Sequence, residues 1–170
     1  MNQQALLLEA FSRIDQEVDR ALRDIDAGCL VFRPDPDANS VAWLVWHLSR
    51  VQDDHVSEIA GQPQAYVADG WADRLGLPAD EHDTGYGHTS DQVGAVRFDT
   101  TEVLAAYHAA IAERTRAYLT SMQPSDLDRI IDDRWDPPVS VGVRLVSVIS
   151  DCLQHAGQAN YVRGVSERLT

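Results

Sequence analysis

Asp151 and His155 are the residues of this sequence whose types and spacing most directly suggest chemistry. They lie four positions apart within residues 150–158, a stretch that reads SDCLQHAGQ. If this stretch is helical, the two side chains project about 40° apart and one turn along the same face. A carboxylate and an imidazole in this arrangement can supply two of the three protein ligands that an open metal site requires.

The same pair also has an ordinary structural explanation. Apolar and small residues around it recur at three- and four-residue steps, and His155 falls within that series, so its ring should point into the protein. The series comprises Leu145, Val148, Cys152, Ala159 and Val162. An imidazole on an apolar helix stripe is more often a hydrogen-bonded core residue than a ligand, and a neighbouring aspartate is a natural partner for it. A third ligand on another helix is needed to favour a metal.

Length and composition limit what kind of protein this is. A chain of 170 residues fits a single domain, taken as residues 1–170, that is large enough to bury a core. The hydrophobic content of 44% and charged content of 24% are those of a globular protein. Because the net charge is −13, a nucleic-acid binder that follows the phosphate backbone with a basic face is not expected.

The cysteines and the N-terminus point to the cytoplasm. Cys29 and Cys152 are too few for a disulfide framework and are expected to be reduced thiols. Cys152 has no basic neighbour that would activate it, so we expect a buried, unreactive side chain. The first residues lack the pattern of a signal peptide, and no apolar run approaches membrane-spanning length. We therefore expect a cytoplasmic protein with no membrane contact.

Four long segments carry the apolar periodicity of amphipathic helices. The pattern and its end signals predict helices over residues 4–27, ended by Gly28; from Asn39 or Ser40 to about Ala60; from a capping box at Asp99–Glu102 to about Met122; and from about Ser140 to Arg163, ended by Gly164. No run alternates with period two, so no sheet is expected. The sequence thus predicts an all-α four-helix bundle.

The two longer linkers differ in their expected roles. Residues 61–98 join the second and third predicted helices and contain one short helical candidate, Asp69 to Leu75. A linker of this length is uncommon unless it is functional or crosses from one end of a bundle to the other. We expect it to cross the bundle and to shape the mouth of a pocket. Residues 124–139 form the second linker, with a possible helical turn at Ser125 to Ile131.

The third ligand must come from another histidine, and the residues alone leave the choice open. His47 and His55 are eight positions apart, about 12 Å along one helix axis, so they cannot both bind the same ion. Periodicity mildly favours His55 as the buried one. His82 and His88 lie in a glycine-rich stretch and are expected to be solvated. His108 lies just off its helix's apolar stripe and is expected to be exposed.

Two stretches read together resemble the DinB superfamily of four-helix metalloproteins. They are residues 43–54 (WLVWHLSRVQDD) and residues 141–158 (VGVRLVSVISDCLQHAGQ). The similarity covers nearly the whole chain in helix order and length, and is greatest to the branch that includes mycothiol S-transferases and the N-terminal domain of mycothiol-dependent maleylpyruvate isomerase. The resemblance implies a DinB-type bundle with a long crossover connection between helices 2 and 3, and a homodimer.

The resemblance also implies a ligand set and a reaction. It places the metal ligands at His47, Asp151 and His155; many DinB relatives have histidine in place of Asp151, whereas isomerase-like members have a carboxylate. Two imidazoles and one carboxylate suit Zn²⁺ first and Fe(II) second, with an open coordination position. The implied activity is transfer of a low-molecular-weight thiol, mycothiol, to an electrophile, a detoxification reaction. Isomerisation is less favoured because the isomerase's C-terminal domain is absent.

Other residues have weaker assignments. Gln158 lies one turn beyond His155 and is a candidate for hydrogen bonding to it or to a ligand. Arg144 is a candidate for orienting Asp151 or binding a polar ligand. For both residues, an ordinary solvated position on the helix is an equally good explanation. Asp53 and Asp54 either orient His55 or lie in water, and water is favoured.

Two other kinds of function stay open at this point. The first is a hydrolase of the same fold that uses metal-bound water. The second is a non-catalytic helical module in which the three candidate ligands are only a buried polar cluster.

Overall fold

The computed structural model describes residues 1–169, and its frame is made of helices. They are α1 (Gln3–Leu22), α2 (Ala27–Val31), α3 (Val41–Ala60), α4 (Ala65–Ala68), α5 (Trp71–Leu75), α6 (Ser90–Ala95), α7 (Glu102–Ser121) and α8 (Val141–Leu169). The long helices α1, α3, α7 and α8 form the predicted all-α bundle. Helix α3 packs against α8 and α7, and α1 packs against the same two helices.

Local sequence sets both ends of α3, the most deeply buried helix. The Ser40 hydroxyl accepts a hydrogen bond from the Trp43 amide at 3.1 Å and so caps the first turn. Gly61 adopts a left-handed conformation with φ 65°, which ends the helix and lets the next amide bond back to Ser57. Residues 41–50 are all buried, because α7, α8 and the loop after α3 cover the different faces of this helix.

The first predicted helix was too long, and the fourth was too short. Helix α1 ends at Leu22 because Asp24 turns the chain with φ 56°, and Asp26 then caps α2 by accepting from the Cys29 amide at 2.7 Å. Gly28 therefore lies inside α2 and does not end a helix. Helix α8 continues through Gly164 to Leu169. Ser166 is still buried on the packed face of the helix, and this packing outweighs the low helix propensity of one glycine.

Two smaller predictions were also wrong. The expected capping box at the start of α7 is not formed, because the Thr101 side chain makes no hydrogen bond to the first turn. A short antiparallel pair, β1 (Ile130–Asp132) and β2 (Val139–Ser140), follows a 3₁₀ turn at Pro124–Asp128 and leads into α8. Strands of two and three residues are too short to show a period-two pattern, so sequence periodicity could not reveal them.

Residues 61–101 form the crossover segment between α3 and α7. The single helical candidate predicted there, Asp69 to Leu75, corresponds to α5. Neither α4, which Gly70 separates from α5 with φ 71°, nor α6 was predicted. The buried Arg50 on α3 anchors this segment, because its guanidinium donates to the carbonyls of Asp83 at 3.1 Å and Glu81 at 2.9 Å. The same guanidinium lies 4.0 Å from the centre of the Tyr66 ring.

Asp53 fastens the other end of the crossover segment to α3. Its buried carboxylate accepts hydrogen bonds from the amides of Ala65 at 3.0 Å and Tyr66 at 2.8 Å, and from the Tyr107 hydroxyl at 3.1 Å. It also lies 3.5 Å from Arg50, so the two opposite charges compensate each other. The expectation that Asp53 lies in water was therefore wrong.

None of the helices formed by residues 1–169 has the length and hydropathy that crossing a lipid bilayer requires.

Candidate metal centre

Helices α3 and α8 bring His47, Asp151 and His155 together at one point. Each offers one ligand atom, and these atoms all lie within 4.8 Å of one another. The two imidazole rings are 4.6 Å apart, centre to centre, and nearly perpendicular at 80°. His155 Nε2 lies 3.6 Å from Asp151 Oδ1. His47 is 5% exposed and the other two are partly buried, so the cluster lies at the base of a surface cleft.

Hydrogen bonds fix which nitrogen of each imidazole is free to bind a metal. The Nδ1–H of His47 donates to the Thr84 carbonyl at 2.5 Å, and that of His155 donates to Gln158 Oε1 at 2.9 Å. In a neutral ring the other nitrogen, Nε2, then carries a lone pair and no proton. Histidine ligands typically donate their second ring nitrogen in this way, which sets both tautomer and ring orientation.

The electrostatics of the cluster also suit a cation. Burial lowers the pKa of His47, the Thr84 carbonyl opposes this shift, and the neighbouring His155 lowers the pKa further. His47 is therefore neutral at neutral pH, the form in which an imidazole binds a metal. Asp151 Oδ2 is buried without a hydrogen-bond partner among the residues described. A buried, unpaired carboxylate oxygen is costly unless a cation compensates it, so the donor set fits a divalent metal.

Sequence reasoning missed several contacts around the cluster, some within α3 and some from the crossover segment. Thr84 acts through its main-chain carbonyl, which carries no side-chain signal. Trp43 stacks on His47 with ring centres 4.6 Å apart and planes 13° apart, and its indole nitrogen donates to His88 Nδ1 at 3.1 Å. The sequence signal for this contact is Gly85, which has φ 89° and whose backbone lies against the Trp43 and His47 rings.

Gly85→Ala is expected to damage the site more than Gly87→Ala does. A Cβ at position 85 would lie 2.8 Å from the Trp46 ring and 3.1 Å from His47 Nδ1, whereas one at position 87 would meet nothing within 4 Å. Both positions have positive φ, so both substitutions cost about 1–2 kcal/mol in the backbone. Only Gly85→Ala should add a packing cost of about 1–3 kcal/mol. Urea unfolding of the two variants measures the difference, and equal losses of stability would contradict the account.

The cluster opens into a cleft of about 500 Å³ between α3 and α8. His47, Thr84 and Asp151 lie at one end, and Asp54 and His55 lie at the other. Its remaining lining residues are Val51, Tyr86, Ser147, Val148, Ser150 and Gln154. A larger cavity of about 720 Å³ lies between α1 and α7, but none of the three candidate ligands lines it. The cleft beside the cluster is therefore the candidate substrate site.

The remaining histidines lie elsewhere, and two of the exposure predictions were wrong. His88 is largely buried, between the Trp43 indole and Asp83, whose carboxylate lies 2.8 Å from Nε2. His108 is 4% exposed and bridges Ser49 at 3.0 Å and Asp15 at 3.2 Å. Trp43 reaches His88 from α3, and Ser49 and Asp15 reach His108 from α3 and α1. Helix periodicity does not register such contacts. His82 is exposed, as predicted.

Arg144 lies beside His55, at the end of the cleft away from the cluster. Its guanidinium donates to His55 Nδ1 at 2.8 Å and lies 3.7 Å from the Asp132 carboxylate. The predicted contact between Arg144 and Asp151 is thus replaced by contacts with these two residues. His55 is only partly buried, whereas periodicity favoured it over His47 for the interior.

The sequence matches the mycothiol-S-transferase family over residues 6–167, nearly its full length. The chain belongs to the mycothiol-S-transferase family. This confirms the resemblance drawn from residues 43–54 and 141–158 and identifies the protein as a thiol-related transferase. No curated protein matches the chain.

A solved structure supports the fold assigned to this mycothiol-S-transferase family member. It is the crystal structure of a conserved protein from Enterococcus faecalis, 30% identical to this chain, with 96% of each chain covered and a TM-score of 0.88. An all-α bundle of the DinB type is therefore established for this mycothiol-S-transferase family member.

Proposed function

We propose that this protein is a metal-dependent S-transferase that activates mycothiol for attack on electrophilic substrates. The observation that carries the proposal is the cluster at the base of the cleft. One ligand atom from each of His47, Asp151 and His155 lies there within 4.8 Å of the other two, and Asp151 Oδ2 is buried without a hydrogen-bond partner among the described residues. Within a family of thiol transferases, such a convergence is best explained by a bound divalent cation with a position open to sulfur.

The residues have distinct roles in this proposal. His47, Asp151 and His155 hold the cation, while Thr84 and Gln158 fix the imidazole tautomers. A cation bound there supplies Lewis-acid chemistry that lowers the pKa of a coordinating thiol, so that sulfur reacts as the thiolate. The thiol proton leaves to solvent through the open cleft. The sulfur lone pair forms the new S–C bond, and the bond from that carbon to its leaving group breaks with its electron pair on the leaving group.

Zinc is the proposed metal. It accepts nitrogen and oxygen donors in four- or five-coordinate sites, and catalytic zinc is often held by three protein ligands. The same donors also suit Fe(II), so the test must distinguish the two. Elemental analysis of protein purified without chelators is expected to give close to one equivalent of zinc.

An assay run with mycothiol and without any thiol tests the transferase activity. The zinc-loaded protein, incubated with mycothiol and a haloalkyl fluorophore, is expected to form the thioether conjugate faster than the protein-free control. A rate equal to that control would overturn the proposal. The alternative, hydrolysis by metal-bound water, predicts instead that an ester or amide substrate is consumed without any thiol.

Gln158→Ala is expected to lower zinc affinity by about 10–100-fold, the usual effect of removing a partner that orients a metal-binding imidazole. Its matched control is Gln154→Ala, because the hydrogen bonds of the Gln154 side chain within the described part of the chain go only to Ser150, one turn earlier on the same helix. Competition with a chromogenic chelator measures both affinities. Equal affinities in the two variants would show that Gln158 is an ordinary helix residue.

Three further expectations remain predictions: a single domain over residues 1–170, a homodimer and a cytoplasmic location. Light scattering of the purified protein checks the second, and fractionation of cells checks the third.

A further inference from the structure

The end of the cleft away from the metal centre has its own defined chemistry. Asp54 and His55 lie there on α3, about two helical turns beyond His47, which places them about 12 Å along the helix axis. Both side chains are about one-third exposed, so they are accessible to a ligand in the cleft. A molecule whose sulfur lies at the metal centre would therefore reach these two residues with its far end.

Arg144 fixes His55 as a hydrogen-bond donor toward a ligand. A guanidinium can only donate, so the contact of 2.8 Å requires His55 Nδ1 to accept and Nε2 to carry the proton. Burial lowers the pKa of His55; Asp54 opposes the shift and Arg144 adds to it, so the ring is neutral at neutral pH. Nε2–H has no hydrogen-bond partner among residues 1–169 and is available to a ligand oxygen.

Asp54 supplies the complementary acceptor. Gln64 donates to its Oδ1 at 2.7 Å, which holds the carboxylate in place, while Oδ2 lies 3.4 Å from the unprotonated His55 Nδ1. That oxygen retains capacity to accept from a ligand. A donor and an acceptor on adjacent residues match a pair of neighbouring hydroxyl groups, each of which can both accept and donate.

The charges of the cleft disfavour a negative charge on the far end of a ligand whose sulfur lies at the metal centre. Asp54 and Asp151 line it, and no lysine or arginine among residues 1–169 does. Arg144 lies behind His55 and is already in contact with the carboxylates of Glu58 and Asp132. Between the two ends, the cleft is lined by Val51 and Val148 together with the hydroxyls of Ser147 and Ser150. This lining suits a neutral tail that is rich in hydroxyl groups.

We propose that Asp54 and His55 are specificity-determining residues that bind hydroxyl groups of the sugar–inositol part of the thiol, with Arg144 as the residue that positions His55. The proposal rests on the proposed function for the location of sulfur. It assigns the second half of the same cleft, which the metal-binding residues do not touch. Thiols that lack hydroxyls, or that carry carboxylates in their place, should be poorer substrates.

Two thiols distinguish this subsite from the metal centre. Mycothiol carries the sugar–inositol part, and N-acetylcysteine is the same acylated cysteine without it. In Asp54→Asn and His55→Ala, the KM for mycothiol is expected to rise about tenfold with kcat unchanged, since each loses one polar contact to substrate. The kcat/KM for N-acetylcysteine should stay within about twofold of wild type. Glu113→Gln, which removes one exposed charge far from the cleft, is the charge-matched control.

Binding of the sulfur-free glucosaminyl-inositol fragment gives a readout that needs neither metal nor catalysis. Saturation-transfer NMR is expected to show that the fragment binds wild-type protein and Glu113→Gln but not Asp54→Asn or His55→Ala. This result would support the subsite even if the protein transferred no thiol, which would overturn only the proposed function. Absence of fragment binding to wild-type protein, or equal losses for the two thiols in both variants, would overturn the subsite.

Discussion

His155→Ala is expected to remove most of the metal from the purified protein and, with it, the S-transferase activity. Removing one of three protein ligands should cost more than removing a partner that only orients a ligand, so zinc affinity should fall by at least about 100-fold. Because the thiol is activated only at the metal, conjugate formation with mycothiol should fall to the rate without protein.

The matched control for this loss is His82→Ala. His82 is an exposed histidine of the crossover segment whose only charged contact within residues 1–169 is Glu81 at 3.8 Å. Both variants should melt at the same temperature in the metal-free state, and only His155→Ala should lose the stabilisation that added zinc gives wild-type protein. Unchanged metal content and activity in His155→Ala would show that His47, Asp151 and His155 form only a buried polar cluster.

Arg50→Met is expected to give the largest loss of stability. The guanidinium is fully buried and compensates the buried Asp53 carboxylate, so its removal leaves that negative charge without an opposite charge beside it. Breaking a buried pair by removing one partner costs about 3–5 kcal/mol. For a chain of this size, each kcal/mol lowers Tm by about 2–4 °C, so a decrease on the order of 10 °C is expected by calorimetry.

The crossover segment connects this loss of stability to function. Arg50 holds the carbonyls of Glu81 and Asp83, and the next residue, Thr84, orients His47. Zinc affinity should therefore fall in Arg50→Met as well. Arg13→Met, which breaks the exposed pair with Glu9 and an exposed hydrogen bond to Gln16, should change stability by less than about 1 kcal/mol. Similar Tm values for the two variants would show that the buried network contributes little.

Features that repeat along a helix could be predicted from the sequence. The apolar stripes located the long helices, and the spacing of Asp151 and His155 placed both side chains on one face of α8. The choice of His47 over His55 did not follow from periodicity, which pointed the other way. It came from the resemblance of residues 43–54 to a known family, because the crossover segment that buries His47 is distant in sequence.

Contacts between distant segments account for what the sequence could not show. His108 is buried because Ser49 and Asp15 meet it from two other helices, and His88 because Trp43 and Asp83 flank it. Thr84 contributes a main-chain carbonyl, which any residue type can supply. Such features depend on tertiary packing, which neither residue type nor spacing encodes locally.

Crystals grown with zinc and measured above and below its absorption edge test the central claim most directly. The account predicts one strong anomalous peak at zinc's edge, in contact with the side chains of His47, Asp151 and His155 together. A map with no peak among these three side chains at saturating zinc, or with a peak only at other residues, would contradict it.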